Sequence, residues 1–507
     1  MAFTKAPTNA TYRTVDMEFT ATSWPRSGST SVRRDAEILN MYFDRNSNEN
    51  QTRTAALVKR PGTADALLSL NKAGSSSIIN GFFQDDSSNY IYWSVDNKVF
   101  SLNVATSSIT QIATITGTNT SSVNSVGFCS FLTSTATRYI CFNNGLELWY
   151  HVVGSGTSTK VTAADYPAST YPTVVFLDGY LFVIKKDTGD IYNSDLDTPA
   201  TWTAGNFITA EINPDTLSAI TKIKNYLIAF GKDGVEFFYD AANVSGSPLG
   251  RNESYYKSVT LTSNLCTIGD EVFYVGRQQG QSLRVFRLDA QDNKPISNAW
   301  VERYLLLNCT NQVDSNGNST TQGFSFSNNG HNFYLLSLQA NKIILVYDLD
   351  NGFWYRWTLG TEGTSANTIE AVWIPGAYGP NSPLFAIGGK TNLTYMNTGL
   401  YQDYTANFTA SYTTEDYTSD TFNWKTCHRV GLYCDFPTTV SPVNAQISWS
   451  DDDGTTFSTP RDCNTVTNNP YITQCGRFRS RMWRIDFTAN YPWRVWGLTM
   501  DLNVGNI

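Results

Sequence analysis

The most constraining feature of this chain is a short pattern that recurs about seven times between Gly81 and Tyr401. Each copy has an aromatic-rich strand, a turn rich in Gly, Asp or Asn, and a second aromatic-rich strand, as in residues 90–93 and 98–100. The leading strands of the copies contain, in order, Ile91, Ile140, Leu181, Leu227, Phe273, Tyr334 and Phe385. These positions are 49, 41, 46, 46, 61 and 51 residues apart. A period in this range, with a hairpin in each unit, is typical of a β-propeller.

The repeat also predicts how the apolar faces are buried. A small sheet cannot bury two apolar faces alone, whereas a ring of sheets buries each face against a neighbour and leaves only short edges. We therefore predict an all-β fold with a β-propeller of about seven blades, six to eight being compatible with the spacing. The predicted domains are an irregular N-terminal arm with the first strands (residues 1–70), the β-propeller (71–401) and a C-terminal β-sandwich (402–507). Within the arm, residues 27–31 are interpreted as a turn or linker and 44–51 as a solvated loop.

The composition agrees with an all-β protein that carries few charges. The chain has 28 Tyr, 28 Phe and 13 Trp but only 16% charged residues. No stretch of ten residues has a clear helical period, so helix is expected to be a minor component at best. Neither a run of 18 apolar residues nor an apolar N-terminal signal segment is present, so we expect no membrane span and no export by the usual route. The net charge of −8 argues against a general electrostatic grip on nucleic acid.

A turn in the C-terminal region has the spacing S-x-D-x-G-x-x-F, which resembles an Asp-box. Its residues are Ser450, Asp452, Gly454 and Phe457. An Asp side chain in such a turn accepts backbone N–H groups, so Asp452 is predicted to be a structural residue. The three carboxylates of residues 451–453 could also bind Ca²⁺, but the later ligands of a calcium loop do not follow them. We favour the turn that needs no metal.

Arginines alternate in the predicted return strand at residues 478–487 and just before it. Arg477, Arg479 and Arg481 would lie on one face of an extended strand, and Arg484 on the other. Such a row of guanidinium groups could pair with carboxylates of a neighbouring subunit, contact phosphates, or face solvent. The sequence leaves these three alternatives open.

The eight cysteines do not form a recognisable disulfide or zinc framework. Cys129, Cys141 and Cys266 lie in apolar strands, where we expect buried free thiols. A bond between Cys463 and Cys475, or between Cys427 and Cys434, is an alternative that a reducing cytoplasm disfavours.

No catalytic, cofactor or metal site is expected. His151, His331 and His428 each lack a neighbouring Ser, Cys or carboxylate pattern that would define a triad or a metal site, and His331 is interpreted as a turn residue. The phosphate loop, the H-E-x-x-H zinc motif and the dinucleotide fingerprint are all absent from the sequence. The chain is therefore predicted not to be an enzyme.

Elements at both ends resemble a known family. Residues 38–43, with Asn40 and Tyr42, form an N-x-Y element, and Pro61-Gly62 follows before the repeat array. Together with residues 449–452, 479–481 and 497–498 near the end, these resemble the tail hub and nozzle proteins of short-tailed phages, the packaged-DNA-stabilising family.

The resemblance implies a structural virion protein made in the host cytoplasm. Such proteins are similar in forming a ring, usually of six copies, below the portal and adaptor, with tail fibres or a needle at the side or tip. They extend the tail channel and retain the packaged DNA, which passes at ejection without sequence-specific binding. Asn40, Tyr42, Arg477, Arg479 and Arg481 are the candidate subunit-interface or channel contacts, and the N-terminal arm is expected to reach a neighbouring subunit or the adaptor. Deleting residues 1–55 is predicted to leave a folded but monomeric propeller.

Two other functions remain open. Propellers with Asp-box-like turns often bind or cleave glycans, so a glycan-binding or glycosidase tail protein is the main alternative. A propeller that serves only as a protein-binding scaffold in a cell is the other.

Overall fold

A computed structural model describes most of the chain. It covers residues 13–18, 37–45, 55–74, 77–85, 87–116, 125–212, 216–231, 234–243, 245–256, 259–260, 265–277, 282–290, 292–308, 321–338, 343–359, 368–375, 383–418, 421–435, 443–466 and 470–505. The linker interpreted at residues 27–31, and the loop interpreted at 44–51 except for its first two residues, lie outside the described residues.

The contacts divide the chain into two compact units. Unit 1 combines residues 1–63, 351–366 and 397–507, and unit 2 combines residues 64–350 and 367–396. The predicted boundaries near residues 70 and 401 lie close to those of unit 2, but the contacts place the N-terminal and C-terminal segments in one unit. The three-part division itself stays a prediction.

Unit 2 is built from small antiparallel sheets, which we number from 1 to 7 in chain order. Sheet 1 comprises Ile79–Asp85, Tyr90–Val95, Lys98–Asn103 and Ser108–Thr114; sheet 2 comprises Gly127–Leu132, Arg138–Asn143, Leu148–Val152 and Ser158–Lys160; sheet 3 comprises Val175–Leu177, Tyr180–Ile184, Asp190–Asn193 and Phe207–Thr209; sheet 4 comprises Leu217–Ile223, Tyr226–Gly231, Val235–Asp240 and Leu249–Tyr256; sheet 5 comprises Val259–Thr260, Cys266–Ile268, Glu271–Arg277, Arg284–Leu288 and Asn293–Pro295; sheet 6 has Thr321–Asn328, His331–Leu338 and Ile343–Asp348 in this unit; sheet 7 comprises Ile369–Trp373, Leu384–Ile387, Asn392–Asn397 and the N-terminal strand Gly62–Ser69.

The sheets of unit 2 contact one another in a closed cycle. Each sheet contacts the next along the chain, and Ile369–Trp373 of sheet 7 contacts Ile79–Asp85 of sheet 1. The strand Gly62–Ser69 pairs into sheet 7, so sequence-distant segments complete the last sheet. A closed ring of antiparallel sheets is the arrangement of a β-propeller, and this fold class is confirmed. The exact blade number stays a prediction.

Apolar side chains fill the spaces between neighbouring sheets. In sheet 1, Ile91 and Trp93 point into a cluster shared with sheet 7, whereas Tyr92 belongs to a cluster shared with sheet 2. Successive side chains of a strand point to opposite faces, and both faces of this strand are buried, which explains its nearly continuous apolar sequence. Trp93 and Trp373 lie edge to face with ring centroids 6.3 Å apart.

All seven anchor positions of the repeat are buried, and each lies on an inner strand of its sheet. The described residues also contain one helix, Ala299–Asn308, within the long step between sheets 5 and 6. The side chain of Asn298 caps this helix by accepting the N–H of Val301 at 2.9 Å. None of the helical structure in the described ranges is long and apolar enough to cross a membrane.

Unit 1 contains two larger sheets and a short hairpin. Sheet A comprises Arg13–Glu18, Met41–Arg45, Ala55–Lys59, Lys425–Cys434, Tyr471–Thr473, Arg477–Phe478 and Arg494–Val504; sheet B has Glu37–Leu39, Phe353–Trp357, Ala410–Thr413, Asn444–Ser450, Arg461–Asn464 and Met482–Phe487 in this unit; the hairpin pairs Gln402–Asp403 with Ala406–Asn407.

The described part of the N-terminal segment supplies strands to both sheets of unit 1, whereas the irregular arm itself stays a prediction. Glu37–Leu39 pairs with Ala410–Thr413 in sheet B, and Met41–Arg45 pairs with Ala55–Lys59 in sheet A. The chain therefore passes from one sheet to the other at Asn40. The loop interpreted at residue 44 also begins inside a strand, because Asp44 pairs with Ala56.

Candidate functional site

Arg60 is the centre of a buried polar cluster in unit 1. Its guanidinium group forms a bidentate ion pair with Asp403, with Nη2 and Nη1 at 2.6 and 3.1 Å from the two carboxylate oxygens. Nη2 also donates to the carbonyl oxygen of Thr358 at 2.6 Å, and Nη1 to that of Pro61 at 2.9 Å. The guanidinium carbon lies 3.8 Å from the ring centroid of Phe408. A buried charge is tolerable only when it is paired and hydrogen-bonded in this way.

Asn40 supplies the remaining acceptor of this cluster. Its Oδ1 accepts Nε of Arg60 at 3.1 Å and the backbone N–H of Thr358 at 2.9 Å. Its Nδ2 donates to Thr358 Oγ1 at 3.0 Å and to the carbonyl oxygen of Thr409 at 2.9 Å. The backbone of Asn40 has φ +55°, a left-handed conformation that Asn adopts more readily than most residues. Asn at this position therefore serves both the change of sheet and the cluster.

Asn40 and Tyr42 are not surface residues, which corrects their prediction as subunit or channel contacts. Their side chains are 1% and 3% exposed. Tyr42 lies opposite Val58 in sheet A. Burial within one chain leaves neither residue free to meet a neighbouring molecule, and both stabilise unit 1 instead.

Lys59 precedes Arg60 and is also completely buried. Its Nζ donates to the carbonyl oxygen of Ala489 at 2.8 Å and lies 4.4 Å from the ring centroid of Phe408. Burial, together with the positive charge of Arg60, lowers the pKa of Lys59 to about 7, although Asp403 opposes the shift. The protonation state of this amine therefore changes near neutral pH.

The alternating arginines do not share one face, because the predicted return strand is interrupted. Arg477 belongs to sheet A, and the next strand, Met482–Phe487, belongs to sheet B. Arg477 and Arg479 are exposed and lie over the ring of Trp424, with guanidinium carbons 5.4 and 4.9 Å from its centroid. Arg481 is only 1% exposed, which contradicts its expected position in the stripe.

Arg481 is held inside unit 1 by its own partners. Its Nε and Nη2 lie 2.6 and 2.8 Å from the two carboxylate oxygens of Asp451, and its Nη1 donates to the carbonyl oxygen of Cys475. Arg481 therefore connects the hairpin turn of sheet B, through Asp451, to the segment before Arg477, through Cys475. One carboxylate of residues 451–453 is thus already paired with a cation of the protein.

The turn at residues 450–457 is closed by Asp452. Its Oδ1 accepts the N–H of Thr456 at 2.8 Å and the hydroxyl of Ser450 at 2.7 Å, and its Oδ2 accepts the hydroxyl of Thr456 at 2.6 Å. The hydrogen bonds from Thr456 lower the pKa of Asp452 to about 2. Gly454 has φ +78°, and its N–H donates to Ser450 Oγ at 2.8 Å. These contacts account for the turn without a bound ion, and Phe457 stays partly exposed beside it.

His331 has carboxylate neighbours that the sequence analysis did not anticipate. Its Nδ1 lies 3.0 Å from Asp348 Oδ2, and donor atoms of His331, Asp348 and Asp350 lie within 4.8 Å of one another. This set could hold a divalent cation. However, Asp348 Oδ1 accepts the N–H of Asp350 at 3.0 Å, and Asp350 Oδ2 accepts the N–H of Asn332 at 2.7 Å. The hairpin's own hydrogen bonds therefore explain the grouping.

His151 also has neighbours that sequence reasoning missed. Its Nδ1 lies 3.3 Å from Ser158 Oγ and 3.4 Å from Ser155 Oγ. The imidazole is 1% exposed, and burial lowers its pKa. A nucleophile pair must be reachable by substrate, and this imidazole is not. Within the described part of the chain, a glycosidase function finds no specific support.

A cavity of about 620 Å³ lies in unit 2, and residues of all seven sheets, or of the segments next to them, line it. Representative lining residues are Asn80, Gly127, Thr173, Ser218, Leu265, Gln322 and Glu370. Close backbone approach keeps it narrow: a Cβ atom on Gly127 would lie 2.3 Å from the carbonyl oxygen of Pro172. The cavity is therefore the space that the seven sheets enclose when they close into a ring.

The polar cluster was missed because its members are far apart in the sequence. Arg60, Thr358 and Asp403 come from three separate segments. One signal was present: Lys59 and Arg60 directly follow the apolar residues 55–58, where a charged side chain must find a buried partner.

Comparisons with known proteins agree with this fold. A family model described as Bacteriophage P22 Gp10, beta-propeller, matches residues 85–376, more than half of the chain. No curated protein matches the sequence significantly.

Similar solved structures include the N-terminal domain of Nup159, which is 10% identical with a TM-score of 0.38, over 71% of this chain and 99% of that one. Another is the extracellular domain of a hybrid two-component system from B. thetaiotaomicron, which is 13% identical with a TM-score of 0.41, over 66% of this chain and 39% of that one.

Proposed function

Because this chain belongs to the bacteriophage P22 Gp10 β-propeller family, we propose that it is a hub or nozzle subunit of a short phage tail. In this proposal, copies of the chain assemble as a ring below the portal and adaptor, retain the packaged DNA and let it pass at ejection. The observation that carries the proposal is the match of the family model to most of the propeller. A structural protein of the phage tail is the coarser role that this match supports.

The distribution of charge supports a surface along which DNA slides without binding. The whole net charge of −8 falls on unit 2, because Lys and Arg balance Asp and Glu in the residues of unit 1. A negative propeller repels phosphates, and the counterion release that stabilises DNA binding needs clustered Lys and Arg.

The proposed DNA path runs between copies of the chain and not through a propeller. A cavity of about 620 Å³ is too small for a duplex, whose major groove alone is about 12 Å wide. A ring of subunits is therefore needed to form the channel.

We propose that subunits meet through an exposed patch of unit 1, the Trp424 patch, formed by Phe422, Trp424, Arg477 and Arg479. Phe422 and Trp424 are 80% and 43% exposed. Aromatic residues and Arg are the types enriched at the centres of protein interfaces. A positive patch on a chain whose unit 2 is negative favours a heterologous contact, which closes into rings.

The test is the particle size of the purified full chain, alone and with a portal–adaptor complex, by light scattering and negative-stain microscopy. We expect rings with the wild type and loss of rings with Arg477→Glu/Arg479→Glu. The control Lys98→Glu/Lys224→Glu makes the same change in charge on exposed lysines of unit 2 and should still form rings. A wild-type chain that stays monomeric with the portal–adaptor complex would refute the proposal.

Deleting residues 1–55, which the sequence analysis predicts to leave a folded monomeric propeller, is a weak test of ring assembly. Deleting residues 1–55 removes Glu37–Leu39 from sheet B and Met41–Arg45 from sheet A. Loss of rings would then reflect damage to unit 1 as well as loss of a contact, so the double arginine substitution is preferable.

A further inference from the structure

Cys427 and Cys475 lie side by side in sheet A. Cys427 is in the strand Lys425–Cys434, and Cys475 is in the turn between Tyr471–Thr473 and Arg477–Phe478. The N–H of Cys475 donates to the carbonyl oxygen of Cys427 at 3.1 Å, and the N–H of Cys427 donates to that of Gly476 at 2.9 Å. Residues 475 and 476 therefore oppose Cys427 together, as in a β-bulge, and a single N–H···O bond between Cys475 and Cys427 keeps their Cα atoms within about 7 Å, the reach of a disulfide.

The two thiols also face each other. Both side chains are buried, and the two thiols lie close enough to shift each other's pKa. Cys427 Sγ also lies 3.6 Å from the carbonyl oxygen of Arg429. The neighbouring Cys427 thiol, together with the positive charges of Arg461 and Arg481, lowers the pKa of Cys475, although burial opposes the shift. A thiolate is the nucleophile in thiol–disulfide exchange.

We propose that Cys427 and Cys475 form an intramolecular disulfide when the protein meets an oxidising environment. When the turn at Cys475 opens locally and exposes its sulfur, the Cys475 thiolate attacks one sulfur of a small disulfide such as oxidised glutathione, forms a mixed disulfide and releases one glutathione thiolate, which takes up a proton. Cys427 then loses its proton and attacks the Cys475 sulfur, releasing the second glutathione. Two protein thiols are oxidised and one glutathione disulfide is reduced to two thiols, so electrons and protons balance. The bond would link strand Lys425–Cys434 covalently to the turn at Cys475. This inference does not depend on the proposed tail function.

The other cysteine neighbours act as internal controls. Cys129 lies opposite Cys141 in sheet 2, and Cys434 lies close enough to Cys463 to influence its pKa. Burial raises the pKa of Cys141, and it raises those of Cys434 and Cys463 to about 12. These thiols stay protonated at neutral pH and should react more slowly. The neighbours found here, Cys427 with Cys475 and Cys434 with Cys463, differ from the two disfavoured alternatives of the sequence analysis, Cys427 with Cys434 and Cys463 with Cys475.

The experiment is a time course of the full chain with oxidised glutathione, quenched with an alkylating reagent under denaturing conditions and analysed by peptide mass spectrometry without reduction. Trypsin alone is insufficient, because residues 462–477 contain no Lys or Arg before Arg477 and Cys463 stays on the same peptide as Cys475. Adding chymotrypsin, which cuts after Tyr471, separates them. Trypsin isolates Cys427 on residues 426–429.

We expect a cross-linked product of the Cys427 and Cys475 peptides, two hydrogen atoms lighter than their sum, at least tenfold faster than any other pair. Cys427→Ser and Cys475→Ser should each abolish it, whereas Cys129→Ser should not. Earlier formation of another pair, or full alkylation of both thiols after oxidation, would overturn the proposal. Both readouts come from the wild-type chain, so they hold even where a variant fails to fold.

Discussion

The side-chain oxygen of Asn40 accepts a hydrogen bond from Nε of Arg60 at 3.1 Å, and both residues are buried. Asn40 marks the point where the chain leaves sheet B for sheet A, and Arg60 follows the strand that pairs with Met41–Arg45. The contact therefore joins the change of sheet to the buried ion pair with Asp403. Unit 1 should depend strongly on both residues.

Replacing Asn40 should destabilise unit 1 in two separable ways. Asn40→Ala removes the hydrogen bonds of the amide, and it also puts alanine, which adopts the left-handed region less readily than Asn, at φ +55°. Together these two effects should lower the free energy of unfolding by about 3 kcal/mol or more. Asn40→Gly also removes the amide but adopts the left-handed backbone without strain, so it should be about 1 kcal/mol less destabilised than Asn40→Ala. Amide hydrogen exchange of residues 37–45 measures the effect, with sheet 4 as an internal reference. Protection equal to the wild type in Asn40→Ala would contradict this role.

Removing one partner of the Arg60–Asp403 pair should destabilise unit 1 more than replacing both partners with apolar side chains. Arg60→Met or Asp403→Leu alone leaves a buried unpaired charge, which costs about 3–5 kcal/mol. The double variant removes both charges, so its unfolding temperature should lie above that of either single variant. Differential scanning calorimetry of the four proteins forms a double-mutant cycle. Strictly additive losses would show that the two groups do not act as a pair.

Lys59 should make the stability of unit 1 depend on pH. Its pKa is about 7 in the folded chain, against an ordinary value of 10.5. Between these values the unfolded chain binds more protons, so the free energy of unfolding rises with pH, by at most about 1.4 kcal/mol per pH unit. The stability that unit 1 has at high pH, where Lys59 is neutral in both states, is lost as the pH falls towards 7 and the buried amine becomes protonated.

Lys59→Met has no amine to titrate at this position. The free energy of unfolding of the variant, relative to that of the wild type, should therefore be higher at pH 7 than at pH 9. Denaturant unfolding at several pH values measures it, and a difference independent of pH would exclude the shifted pKa. Lys98→Met, on an exposed lysine of unit 2, is the matched control.

Closure of the propeller should depend on the tryptophans between sheets 1 and 7. Trp373 is 1% exposed and packs against Trp93. Trp373→Ala should cost about 3–5 kcal/mol through the cavity that it leaves. Leu67→Ala, at a side chain that is 83% exposed in a strand of sheet 7, should cost little. Calorimetry of the two variants tests this, and equal unfolding temperatures would contradict a core at the closing point.

The turn at Asp452 should need no calcium. Asp452→Ala removes the hydrogen bonds to Thr456 and should lower the unfolding temperature of unit 1. Asp453→Asn, which removes a carboxylate but suits the φ of +59° at that position, should have a smaller effect. Neither added Ca²⁺ nor a chelator should change the wild-type unfolding temperature. A rise with Ca²⁺ that Asp452→Ala abolishes would favour the cation site instead.

The propeller was predictable because its signal is local and repeated. Each copy places apolar residues on both faces of a strand, as in residues 91–93, and such a strand has to be covered on both sides. The role of Asn40 was not predictable, because its partners Arg60, Thr358 and Thr409 come from distant segments. The prediction that Arg477, Arg479 and Arg481 share one face was wrong for a related reason. Side chains alternate between two faces only while the chain stays in one sheet, and the chain leaves sheet A before Arg481.

By itself, the sequence determined an all-β chain with a repeating set of hairpins and an Asp-containing turn at 450–457, since periodicity and turn chemistry are properties of neighbouring residues. Only the tertiary structure decided which residues are buried and which cysteines meet. It places Asn40, Tyr42 and Arg481 in the interior, where the sequence analysis expected surface residues, and it brings Cys427 next to Cys475. The physical reason is that a buried charge, amide or thiol takes its partner from whichever segment the fold brings within about 3 Å, or slightly more for sulfur, and sequence separation carries no information about that distance.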